Sequence, residues 1–395
     1  MLRVAYLFER FPSFGQTFCY REVAELIRQG AEVTIFSIRR PEGEPAQDWD
    51  PEIVRRVHYL PAEKEIVAEI DRAARARQLP SVAVQALKEW GRATDFLRLY
   101  QGAYIGERLR ALGLARVHAH FAGMAARTAY WVGEFYGIDY SLTAHANDIF
   151  APRAFVVSLS KLFERAEAIV TVSDFAVAAL KARFPDAAGK ISRVYNGVDL
   201  GRFHLAEFRA GVPLLVSVGR LIEKKGFRDL IAACEILKKR SRPFRCEIIG
   251  EGPLLGALAE QIAAAGLEQE VELTGPRSQS QIAERFAAAN VFALPCTVEA
   301  DGGMDNLPTV IMEAMASGLP VISTPLAGIP EMVIPGETGA LVAPNDPTAL
   351  ADAIASLMTN PEEGRRLGAR GRELAAEKFS IETNVRLLAD IFRSR

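Results

Sequence analysis

The sequence predicts an α/β protein built from two successive parallel-sheet units, and three observations lead there. Short β-branched runs alternate with helical patterns along most of the 395 residues. The alternation breaks near residues 200–212, where Gly201, Gly211 and Pro213 punctuate the chain, and then begins again. A hydrophobic content of 49% supplies a full core, and the length favours about two domains.

In the first unit, residues 1–205, the expected strands are RVAYLF, EVTIFSI, RVHAHF, YSLTAH, AIVTVS and ISRVYN. The second, residues 206–375, restarts with PLLVSVG, FRCEIIG, VELTG, VFALP, PVIST and GALVAP. Helical patterns over 20–29, 175–184, 227–239, 255–265 and 309–317 fall between them. Residues 61–115 interrupt the rhythm as a helix-rich, strand-poor segment with a basic cluster, Arg72, Arg75 and Arg77, and the apolar groups Trp90, Phe96, Leu97 and Tyr100. They form either a helical layer on the first sheet or a patch for a lipid-linked substrate or anionic membrane surface. Residues 376–395 close the chain with an amphipathic helix.

A formal net charge of −2 gives no electrostatic case for nucleic-acid binding. No run of about 18 apolar residues exists to span a membrane. The N-terminal MLRVAYLFERF is too short and too soon charged for a signal peptide. Cys19, Cys234, Cys246 and Cys296 form no C-x-x-C pair and read as reduced core thiols of a cytoplasmic protein.

In parallel sheets of this kind ligands lie beyond the carboxyl ends of the strands, so the loops after each strand are informative. After PLLVSV comes GRLIEKKGF, where Gly219 turns the chain and Arg220 and Lys225 can converge before a helix start. Two cations beside helix N–H groups suit a diphosphate. Lys224 is expected to face solvent. CEIIGEGPLLG places Gly250 and Gly252 after a strand, where they would let backbone approach a flat base or a phosphate. Their spacing with Gly256 only weakly matches a dinucleotide fingerprint, so a nicotinamide enzyme ranks low.

The stretch GMDNLPTVIMEAMASGLPVIST carries Glu313 inside an apolar helical run and Asp305 eight positions earlier. At 1.5 Å per residue the two acids stand up to roughly 12 Å apart. They cannot share one proton, but they could hold the two ends of a nucleotide-diphosphate sugar. Glu313 would accept from ribose hydroxyls and Asp305 from the transferred sugar, with the helix N-terminus toward the diphosphate. Three of five histidines, His118, His120 and His145, end strands of the first unit. His118 and His120 share a face, but no third ligand is spaced nearby, so hydrogen bonding to sugar is expected rather than metal binding. Gly15, in RFPSFGQTF, could offer its amide to a phosphate or an acceptor, or simply turn the chain.

Together, FERFPSFGQTFCYREV, HAHFAG, TAHANDIF, TVSDF, RVYNGVD, GRLIEKKG, GEGP, EAMASGLPVIST and GIPEMVIPGETGALV resemble the retaining glycosyltransferases of family 4 over nearly the whole chain. The first and third motifs look most like the branch that builds bacterial exopolysaccharide and lipopolysaccharide repeat units, of the colanic-acid type. The resemblance implies the GT-B fold, with two Rossmann-like domains facing across a cleft and the C-terminal helix crossing back to the first. It implies transfer of a hexose-type sugar from a UDP- or GDP-linked donor to a glycan or polyprenyl-diphosphate-linked acceptor. Arg220 and Lys225 match the pair that neutralises the leaving diphosphate, and Glu313 matches the ribose-holding acid. Asp305 takes the first acid position, where many members have Glu, while Asn306 and Leu307 with Pro308 replace a Gly-rich stretch. His120 matches a histidine near the sugar's 6-hydroxyl, and His145 a second active-site histidine. Gly15-Gln16-Thr17 stands where this branch often has Ser-Glu-Thr. Glu299 and Asp301, in the loop VEADGGMD, compete for the role of Asp305. Without a clear D-x-D, no obligatory metal or other cofactor is expected. The alternatives are a GT-B epimerase or phosphorylase, and a non-catalytic glycan- or nucleotide-binding subunit.

Overall fold

The computed structural model describes residues 1–90, 95–150, 155–208 and 211–394. Residues 209 and 210 of the expected junction, and 91–94 of the helix-rich segment, lie outside the described residues.

The first sheet contains β1 (Arg3–Arg10), β2 (Glu32–Arg39), β3 (Val57–Tyr59), β4 (Arg116–His120), β5 (Asp139–Ala144), β6 (Ala168–Thr171) and β7 (Ile191–Arg193). The second contains β8 (Leu214–Val218), β9 (Arg245–Ile249), β10 (Val271–Gly275), β11 (Val291–Ala293), β12 (Val321–Ser323) and β13 (Gly339–Leu341). Every strand pairing is parallel, and the orders are β3-β2-β1-β4-β5-β6-β7 and β10-β9-β8-β11-β12-β13. All twelve expected strands are present; β3, three residues with no fully buried side chain, carries too little hydrophobic pattern to be anticipated.

In both sheets the strand order reverses beside the first strand, between β1 and β4 and between β8 and β11. Loops leaving the two strands at such a point go to opposite faces and open a crevice at the carboxyl edge. The helices that shape it are α1 (Thr17–Arg28), α2 (Asp174–Arg183), α3 (Phe227–Lys239), α4 (Gln279–Ala288), α5 (Thr309–Ala316) and α6 (Ile381–Arg393).

Strand alternation divides the first lobe's core. Ala5 and Leu7 of β1 pack under the helix-rich segment, with Ile66, Ile70, Leu99, Ile105 and Leu109. That segment is therefore a layer on the sheet, and Arg72, Arg75 and Arg77 lie exposed on its outside. Val4, Tyr6 and Phe8 face the other way, against α1 and against Ile381, Val385, Leu388 and Phe392 of α6. The chain's last helix thus completes the core of the first lobe. Each such fully buried side chain contributes about 1.5–3 kcal/mol.

Candidate active site

The cleft between the lobes has a volume of about 770 Å³, within the range of pockets that enclose small-molecule ligands. Gly15 and His145 line it from the first lobe; Gly219, Arg220, Lys225, Gly250, Gly252, Asp305, Asn306, Leu307 and Glu313 line it from the second. Sequence reasoning assigned His120 to this group as well. The structure corrects that: its ring is fully buried on the face of β4 that α1 covers. The histidine that clears the sheet edge is His145, one residue past the end of β5.

Backbone geometry builds the second-lobe wall. Gly250 has φ 150°, and a Cβ there would lie 1.9 Å from the Gly219 carbonyl oxygen. A Cβ on Gly252 would meet the Leu221 oxygen at 2.6 Å. The expected close approach is therefore real, but it is between two neighbouring loops. Leu221 N donates to Glu251 O at 2.8 Å and Leu254 N to Leu221 O at 3.1 Å, so the β8 and β9 loops form one plate. Gly256 is not part of it.

Lys224 and Lys225 occupy a short 3-10 turn, Glu223–Lys225, ahead of α3. The tight turn aims both side chains inward, so the expectation that Lys224 faces solvent is overturned: it is buried and lines the cleft. Lys225 Nζ lies 2.6 Å from Asp305 Oδ2, and Lys224 Nζ 3.8 Å from Oδ1. Lys224 also donates to Asn147 Oδ1 across the cleft at 3.0 Å. Burial pushes Asp305 up, but Lys225 and Lys224 more than reverse this and hold it below the usual carboxylate range. Burial likewise works against charge on Lys225, and Asp305 outweighs it, raising the ammonium. Of the three acids considered, Asp305 faces the cleft. Asp301 is spent on its own loop, where Oδ1 accepts from Gly303 N at 2.9 Å, and neither it nor Glu299 lines the cleft.

Pro308 precedes α5 without a side-chain cap, leaving the helix N-terminus at the cleft wall beside Thr309 and Val310. One turn on, buried Glu313 solves its charge problem with a partner from the other lobe: Arg21 Nη1 of α1 donates to its Oε1 at 2.5 Å. The Arg21 Nε and Nη2 atoms are buried without partners. Sequence gave no indication of this pair, because the residues are 292 positions apart. Further contacts join the lobes. Gln47 Oε1 and Asp48 Oδ2 accept from the first amides of α4, Gln279 N and Ser280 N, at 2.7 and 2.9 Å. Glu331 accepts from Asp174 N and Phe175 N at the start of α2.

On the first-lobe wall the 3-10 turn Phe14–Gln16 leads into α1, so Gly15 belongs to a turn whose face meets Arg220. Phe121 holds a left-handed φ of 68°, unusual for a bulky residue, and its ring centroid lies 4.4 Å from that of His145. Behind them, Glu22, His118 and His120 bring possible ligand atoms within 4.8 Å of one another. Sequence spacing concealed Glu22 as a third group. Each of these imidazole nitrogens already has a protein partner, so the cluster is internally satisfied.

Residues 15–202 match the family model Glycosyltransferase Family 4, and residues 206–374 match Glycosyl transferases group 1. A relative in Salmonella typhimurium, named as the colanic acid biosynthesis glycosyltransferase WcaL, is 30% identical with the whole of both chains covered. The chain belongs to glycosyltransferase family 4. This family 4 glycosyltransferase is also 28% identical to the amylovoran biosynthesis glycosyltransferase AmsK of Erwinia amylovora, over 99% of each chain. Anabaena HepE, solved in complex with UDP, superposes with a TM-score of 0.76 at 17% identity over the full length of both chains. Sucrose-phosphate synthase of Thermosynechococcus elongatus gives 0.73 at 20%, covering 100% of this chain and 99% of the other. The architecture is the GT-B fold. Among the described residues no helix is long and apolar enough to cross a membrane.

Proposed function

We propose that this glycosyltransferase moves a hexose-type sugar, with retention, from a UDP- or GDP-linked donor to a glycan or polyprenyl-diphosphate-linked acceptor during assembly of a bacterial surface polysaccharide. One observation carries the reading: Arg220, Lys224, Lys225 and the uncapped start of α5 line one wall of the cleft together with Asp305 and Glu313. The cations and helix amides receive the diphosphate. Glu313, with Oε1 held by Arg21, presents Oε2 to a ribose hydroxyl. Asp305 accepts from the sugar once the diphosphate draws Lys225 away. Support for the donor class comes from HepE, crystallised with UDP and with UDP-glucose; support for the pathway comes from WcaL and AmsK, named for colanic acid and amylovoran biosynthesis.

In the transfer, the acceptor oxygen bonds to the anomeric carbon from the face the donor oxygen leaves. The sugar–phosphate bond breaks with its electron pair on the phosphate oxygen, and that oxygen takes the acceptor's proton. No protein base is required. No metal is required either, since lysine, arginine and helix amides supply the positive charge; full turnover in EDTA is the expected result. Exposed Arg72, Arg75 and Arg77 would meet the anionic membrane surface that carries a lipid-linked acceptor, on the cytoplasmic side.

A thermal-shift panel of UDP-, GDP- and ADP-sugars, followed by product analysis, tests the proposal. A glycosidic product with free nucleoside diphosphate supports it. An isomerised nucleotide sugar, a sugar phosphate, or binding without turnover contradicts it.

A further inference from the structure

The transfer chemistry leaves one set of buried ionisable groups unused. Glu22, on α1 and outside the main cleft, lies with Oε1 3.0 Å from His120 Nε2. His120 Nδ1 in turn lies 3.2 Å from His145 Nε2. His120 is fully buried, and His145 is 6% exposed, with the cleft in front of it. Among the described residues no protein partner takes the remaining His145 nitrogen, Nδ1.

The proton positions follow from what each group can do. A carboxylate only accepts, so His120 Nε2 must carry a proton toward Glu22. The contact between His120 Nδ1 and His145 Nε2 holds a single proton, which belongs to one ring or the other. The groups facing His120 are Tyr6 from β1, Cys19 and Glu22 from α1, His118 from β4, and His145 after β5, with Arg21 of α1 acting on Cys19. Tyr6 donates its hydroxyl to Glu22 Oε1 at 2.7 Å. Burial pushes the Cys19 thiol up, so it stays neutral. Arg21 is spent on Glu313, and both nitrogens of His118 are spent on Ser141 and Thr143 hydroxyls. Glu22 is therefore the anion facing His120. Burial opposes charge on His120, and Cys19 and then Glu22 oppose burial and raise it; with the thiol neutral, the imidazolium is kept by Glu22, whose ion-pair partner among the described residues is His120. Burial and the adjacent His120 charge both drive His145 the opposite way. The shared proton rests on His120.

We propose that Glu22 is a positioning residue for transfer: through His120 it fixes His145 as the neutral Nδ1–H tautomer, a hydrogen-bond donor to a sugar hydroxyl oxygen in the cleft and not a proton acceptor. His145 then selects for an oxygen on the bound sugar or acceptor, and it cannot serve as the base. The role in transfer rests on the proposal that a sugar donor fills this cleft; the proton arrangement does not, and the two are tested separately.

The full-length protein labelled with 15N-histidine carries five histidines, few enough to assign by single substitutions. Long-range 1H–15N correlation spectra from about pH 6 to 9 should show His120 protonated on both nitrogens and His145 protonated on Nδ1 alone. In Glu22→Gln, an uncharged amide no longer supports the imidazolium. His120 should then titrate within that range and the His145 proton should move to Nε2 as it does. The kcat of this variant should fall about tenfold above the new ionisation and recover as the pH is lowered, while Glu22→Asp keeps the wild-type profile. Wild-type spectra with His145 protonated on Nε2 would overturn the proposal, even if Glu22→Gln did not fold. So would a Glu22→Gln pH profile superimposable on wild type. Failure of every nucleotide sugar as donor would sink the donor assignment and leave the spectra to decide the tautomer.

Discussion

The two walls of the cleft are built differently. The second-lobe wall is charged and hydrogen-bonded: two lysines lie within 3.8 Å of Asp305 on a turn and loop, beside interlocked β8 and β9 loops. The first-lobe wall presents rings, His145 between Phe18 and Phe121, backed by a hydrogen-bonded histidine pair. A diphosphate needs fixed positive charge at one place. A sugar or glycan needs flat surfaces and a few directed hydrogen bonds. Under the proposed function, the donor's leaving group would meet the second lobe and the sugar-facing contacts of the first lobe would come from aromatic and histidine groups.

The comparison breaks most severely at the cations. Arg220→Ala and Lys225→Ala should each lower kcat about 100- to 1,000-fold, because charge developing on the leaving group loses its counter-charge. His145→Ala should cost less, about tenfold to 100-fold, since it removes one neutral hydrogen bond. Steady-state assays at saturating donor check both; equal losses on the two walls would remove the asymmetry.

Next in size is the clasp between walls. Arg21→Met leaves Glu313 buried without its counter-charge and should destabilise the fold by about 3 kcal/mol. The double variant with Glu313→Met should regain most of that in a denaturant melt. A single variant as stable as wild type would mean that the pair does not hold the lobes.

Asp305→Asn sharpens the same contrast. Freeing Lys225 and Lys224 should tighten nucleoside diphosphate binding severalfold while lowering kcat, because the sugar contact is weakened. The wild-type pair has a defined pH window. Asp305 is lowered, so its contribution is complete above the ordinary carboxylate range and lost as pH falls through its native value. Lys225 is raised, so its contribution is complete below the ordinary ammonium range and lost as pH rises through its native value. Melting from about pH 5 to 9 should therefore show no loss of stability attributable to this pair. The smallest effect belongs to the outer surface: reversing Arg72, Arg75 and Arg77 to Glu should change stability by less than about 0.5 kcal/mol, yet weaken sedimentation with anionic vesicles.

Much of the second-lobe wall was legible in the sequence, because each element there is local. A strand, a glycine, spaced cations and a helix start lie within GRLIEKKGF, and turn chemistry acts over a few residues. Lys224 departs from its expected solvent-facing position because the 3-10 turn Glu223–Lys225 ahead of α3 buries both lysines. The first lobe was read less well. His120 occupies the motif position, but strand alternation turns it under α1, and whether a covered strand end reaches the cleft depends on packing. Arg21 and Glu22 lie in FERFPSFGQTFCYREV as ordinary helix charges; their partners are 292 and 98 residues away, beyond any local pattern.

Calorimetric titration of a nucleoside diphosphate and the matching monophosphate tests the central claim, that the second-lobe cations receive the second phosphate. The wild-type protein should prefer the diphosphate by at least about tenfold, or roughly 1.4 kcal/mol, and Arg220→Ala and Lys225→Ala should each erase most of that preference. An unchanged preference in both variants would place the diphosphate elsewhere and contradict the account.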